Sequence, residues 1–126
     1  MWSYDAYGLH FQSEVELPYQ KATENKAACV TIRFGTVPET LDHVFAAQRN
    51  WQASKDAFLL TVEGAGRILV TRGRSIVIDR LQCGSLEVLC LHLMGSCTAA
   101  VLQQRELFQL LACAISTQQG FIAFAG

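Results

Sequence analysis

The sequence predicts an α+β domain, a mostly antiparallel sheet of about six to seven strands packed on one long buried helix. Three observations carry that prediction. Residues 57–79 hold three short β-rich runs punctuated by glycines, residues 86–104 hold one long apolar run opened by a serine, and residues 108–125 hold two apolar runs split by a polar turn.

Size and composition agree with a self-sufficient fold. A chain of 126 residues with 51% hydrophobic and 17% charged residues is one domain on the apolar side of globular proteins. The apolar surplus suggests a covered surface such as a subunit contact. Ten basic and eleven acidic residues give a net charge of −1 and are spread along the chain, so no field gathers nucleic acid or a membrane surface. The N-terminus Met1-Trp-Ser-Tyr-Asp-Ala-Tyr7 lacks a basic stretch followed by an apolar run, and a cytoplasmic location is the expectation. Five cysteines (Cys29, Cys83, Cys90, Cys97 and Cys113) include no Cys-x-x-Cys pair, which argues against a disulfide framework and a zinc knuckle. Cys83, Cys90 and Cys97 recur every seven residues and are read as packing residues on one helix stripe.

In chain order, Tyr4–Ser13 reads as one opening strand with Tyr7, Leu9 and Phe11 on one face and His10 solvated on the other. Glu14–Ala27 is polar, contains Pro18 and reads as a loop. Ala28–Gly35 forms a second strand with Val30, Ile32 and Phe34 facing one way, ended by Gly35 and Pro38. Residues 39–56 fit either a helical turn, because Leu41, Val44 and Phe45 share a helical face, or a long loop. Asp42 and His43 are adjacent, but neighbouring residues point apart on any regular element, so they read as surface residues. Phe58–Glu63, Arg67–Thr71 and Ser75–Asp79 form an antiparallel meander through turns at Gly64, Gly66 and Gly73. The arginines around these turns (Arg67, Arg72, Arg74 and Arg80) read as solvated hairpin ends balanced by Glu63 and Asp79.

Ser85 caps the helix Leu86–Gln104, and Glu87 suits its first turn. The helix is apolar nearly all round and should be covered on a second side, where Gly95, Ser96, Ala99 and Ala100 would admit a close neighbour. It falls short of a membrane span and carries Glu87 and His92; His92 has no ligand-type residue at i+3 or i+4. Phe108–Ile115 and Phe121–Ala125 then read as a hairpin around Ser116–Gly120, and its second strand is apolar enough for the middle of a sheet. The domain is thus taken as 1–104, with 105–126 packed into it as a hairpin.

Phe121-Ile-Ala-Phe-Ala-Gly126 matches the strand and first glycine of a phosphate-binding loop, in which the glycine turn, a Lys and a Ser or Thr follow. Together with Leu102–Ile115, Tyr4-Asp-Ala-Tyr-Gly-Leu9, Val30-Thr-Ile-Arg-Phe-Gly35, Ala57-Phe-Leu-Leu-Thr-Val62 and Gly73-Arg-Ser-Ile-Val-Ile78, this order resembles the N-terminal portion of the HPr serine kinase/phosphorylase-like family, up to the P-loop. Leu111 stands where that pattern carries His, and Cys113 where it often carries Ser. The resemblance implies a chain cut just before the P-loop, with the Mg²⁺-dependent phosphoryl-transfer machinery lying beyond residue 126. No catalytic, cofactor-binding or metal-ligating residue is assigned, and no cofactor is expected. The functional expectation is a non-catalytic accessory, assembly or substrate-contact domain. The alternatives are a stand-alone dimeric interaction module, or a small-molecule-binding domain or enzyme whose site the sequence does not display. The partner expected is a second copy, met through residues 108–125 or the helix 85–104, or a protein or peptide.

Overall fold

A computed structural model describes residues 1–19, 21–22 and 27–105. One eight-stranded sheet has the order β1-β2-β3-β8-β7-β6-β5-β4. Its strands are β1 (Trp2–Ala6), β2 (Leu9–Ser13), β3 (Val30–Phe34), β4 (Ala46–Gln48), β5 (Trp51–Ala53), β6 (Ala57–Val62), β7 (Gly66–Thr71) and β8 (Ser75–Arg80). The coarse class, a sheet packed on one helix, is as expected. The strand count is higher, and the sheet is mixed: β3 lies parallel to both β2 and β8. The proposed hairpin 108–125, and the segment 105–126 beyond its first residue, lie outside the described residues.

Three sequence readings need correction. The opening strand is a hairpin, β1 and β2, reversed at Tyr7-Gly8, where both residues take positive φ (53° and 76°). Residues 39–56 are neither helical turn nor simple loop, because they contain the hairpin β4–β5, paired Ala46 to Ala53 and Gln48 to Trp51. Phe34, placed with Val30 and Ile32, is instead exposed at the end of β3.

The meander β6-β7-β8 is antiparallel throughout. Alternation along it sends Leu60, Val62, Ile68, Val70, Ile76 and Ile78 to one buried face. At the β6–β7 turn Gly66 has φ 153°, and a Cβ there would collide with the Asp79 carbonyl oxygen, so only glycine lets β7 approach β8.

The helix crosses that apolar face. It comprises α1 (Leu86–His92), a π-helical turn (Leu93–Cys97) and α2 (Thr98–Gln104), in unbroken succession. Ser85 Oγ accepts from Val88 N at 3.3 Å and caps it, as expected. The widened turn has a local cause: the Thr98 hydroxyl donates to the Leu93 carbonyl at 2.6 Å, five residues back, and shares a 3.2 Å hydrogen bond with the Tyr19 hydroxyl. Leu89, Leu93, Cys97, Val101 and Leu102 join the sheet residues in one core. By length and composition these 19 residues are also apolar enough to cross a bilayer; here their buried side packs on the sheet.

One helix is about 10 Å wide and covers about two strands at 4.8 Å spacing, so eight strands leave both its flanks to be filled. On the β1–β2 flank, Val15, Leu17 and Tyr19 fill the space. Leu17 N donates to Tyr4 Oη at 2.8 Å, and Tyr19 meets the Tyr4 ring edge-on. The opposite flank, over β5 and β4, has no such cover among the described residues.

The far face of the sheet is crossed by residues 35–45. Val37 N donates to Asp79 Oδ2 at 3.0 Å and Leu41 N to Gln52 Oε1 at 2.9 Å, while Arg67 lies 3.8 Å from Glu39 and 3.9 Å from Asp79. Asp79, Arg67 and Gln52 all alternate with the core residues of their strands, so this strap lies on the face that Leu59 also uses.

Candidate functional site

Among the described residues, those singled out in the sequence do not converge. His10 is the one whose reading changes: it is buried, 5% exposed, and its Nδ1 lies 2.9 Å from Asp5 Oδ1, its register partner across the β1–β2 hairpin. The sequence signal was present, since a tight turn at Tyr7-Gly8 sets Asp5 opposite His10. Asp42 and His43 are exposed, with His43 at a positive φ of 52°. His92 is half-buried at the end of α1.

The cysteines also separate. Cys83 is exposed, Cys90 half-buried and Cys97 buried. Burial pushes the Cys97 thiol up to about 12, and burial together with Glu87 raises that of Cys90. Cys97 is therefore a packing residue. Among the described residues no group of three or more His, Cys, Asp or Glu lies close enough together to hold a metal. The arginines divide: Arg67 is engaged by Glu39 and Asp79, and Arg80 Nε donates to the Gly84 carbonyl at 2.9 Å.

Two concavities stand out among the described residues. The first, about 440 Å³, lies under the strap and is lined by Glu39, Glu63, Arg67 and Leu81 around the β6–β7 turn. Its two carboxylates, Glu39 and Glu63, outnumber its one arginine, which Glu39 and Asp79 already engage.

The second, about 610 Å³, is the uncovered flank of the helix. Strand register builds its floor: Trp51 pairs with Leu60 and Ala53 with Phe58, on the core face. The Trp51 and Phe58 rings lie 6.0 Å apart at 33°. Ala99, Ala100 and Gln103 of α2 form one wall, and small side chains there keep the groove open. Gln104 is committed as a wall, because its Oε1 accepts from Gly73 N at 2.7 Å and its Nε2 donates to Val70 O at 3.2 Å. Phe45 stands at the mouth, 69% exposed, and Ser54 and Lys55 complete the rim. Sequence reading missed this groove because its floor depends on β4 and β5, and neither strand was recognised.

In comparison with known proteins, no family model, no curated protein and no solved structure matches this chain.

Proposed function

We propose that this chain serves as a non-catalytic accessory domain of an HPr-kinase-like protein, supporting assembly or contact with a protein or peptide substrate. One observation carries the reading. The four upstream stretches that resemble the family fall on β1–β2, β3, β6 and the turn and strand of β8, all within one sheet. The exit of the helix supports it too: Arg105 donates from Nε to the Gly73 carbonyl at 2.6 Å and from Nη2 to the Cys29 carbonyl at 2.7 Å. These bonds tie the end of the helix to the β7–β8 turn and to the start of β3. Phosphoryl transfer itself would belong to residues outside these 126. Sequencing the coding DNA beyond Gly126 tests the reading: a Gly-x-x-x-x-Gly-Lys-Ser or Thr continuation is expected, and an unrelated continuation would count against it.

A second reading, a homodimer through the helix, is favoured by its outward side. Leu91 is 65% and Val88 39% exposed, beside the small Gly95 and Ser96. Leu91→Asp then shifts the chain to monomer in sedimentation while leaving the fold intact.

A further inference from the structure

We propose that the groove beside the helix binds a small amphipathic monocarboxylate, its flat apolar body lying on Trp51 and Phe58 and its carboxylate meeting Lys55. The inference is independent of the accessory-domain reading.

The groove's origin is the first argument. A single helix cannot cover eight strands, and the described residues fill one flank with Val15, Leu17 and Tyr19 while leaving the other lined largely by apolar side chains. Trp51 and Phe58 are consequently half-buried, packed against the core on one side and open to the groove on the other. A volume of about 610 Å³ falls within the few hundred to a thousand Å³ usual for small-molecule sites.

Shape and charge then narrow the ligand. Two tilted aromatic rings and the alanines Ala53, Ala57, Ala99 and Ala100 favour a flat body over a bulky one. Lys55 is the one charged residue among those lining the groove, although acidic residues outnumber basic ones in the chain as a whole. The charge facing the groove is therefore that of Lys55, while the exposed Asp56 beside it is not among the lining residues, and an anion is the complementary ligand. With both polar atoms of Gln104 already engaged, Gln103, Ser54, Ser96 and the Trp51 indole N–H are the uncharged hydrogen-bonding groups left among the lining side chains.

The test uses the full 126-residue chain, labelled with ¹⁵N, and 2-naphthoate as probe. Saturable shifts of the Trp51 indole N–H and the Gln103 side-chain amide are expected. The neutral isostere 2-naphthamide should bind about three- to fivefold more weakly, the range an exposed lysine supplies. Lys55→Gln should erase that difference without changing affinity for the amide. Ala99→Phe should block both probes; K55Q, at an exposed position, keeps the test decisive if A99F disturbs the fold. The proposal is overturned by an unresponsive Trp51, by equal affinities for acid and amide, or by nuclear Overhauser contacts that seat residues 106–126 or a second copy on Trp51 and Phe58.

Discussion

Burial holds the Cys97 thiol neutral in the folded chain, and this makes stability depend on alkaline pH. Its pKa is raised from 9.0 to about 12 by desolvation, so below the unfolded value the thiol is neutral in both states and its contribution is fully present. As pH rises from about 9 toward 12 the unfolded chain ionises first, and that contribution is lost. Urea midpoints should therefore fall on this alkaline limb, and Cys97→Ala should lower stability at neutral pH while flattening the limb. Mass-spectrometric mapping after iodoacetamide treatment gives a second check: Cys29 and Cys83, both exposed, are modified in the native chain, and Cys97 only after unfolding. Tyr4 shows the other kind of residue-scale effect. Its hydroxyl accepts from Leu17 N within a fully buried setting, so Tyr4→Phe leaves a buried N–H unpaired and should cost about 1–3 kcal/mol in denaturant unfolding.

At the scale of elements, the π-helical turn is held by one hydroxyl. Thr98→Val keeps the shape and removes the donor to Leu93 O and the link to Tyr19, so a loss of about 1–2 kcal/mol is expected. Amide shifts confined to residues 93–98 would place the change in this turn. Gly66→Ala drives a Cβ into the Asp79 carbonyl and should cost about 2 kcal/mol or more, read as a lowered thermal midpoint. The same elements show what the sequence could and could not convey. The meander was legible because β-branched residues alternate between glycine turns, and the helix because Ser85 caps a long apolar run. The β4–β5 hairpin was not, since Ala46-Ala47-Gln48 and Trp51-Gln52-Ala53 are three-residue strands of weak β propensity, held by pairing with β6. The first hairpin was hidden by Tyr7, a non-glycine residue at positive φ, and with it went the Asp5–His10 pair. The parallel placement of β3 between β2 and β8 depends on contacts distant in sequence, which local pattern does not encode.

Among the described residues the two flanks of the helix differ, one packed by Val15, Leu17 and Tyr19 and the other open as a groove, with an outward stripe bearing Val88 and Leu91. The groove was illegible in the sequence because four separate elements build it. As proposed, these 126 residues act as a platform and do not themselves bind a nucleotide, and that is the claim to test. Isothermal titration of the 126-residue chain with ATP and Mg²⁺ tests that claim most directly. A flat titration is predicted, and a saturable one-site isotherm would contradict it.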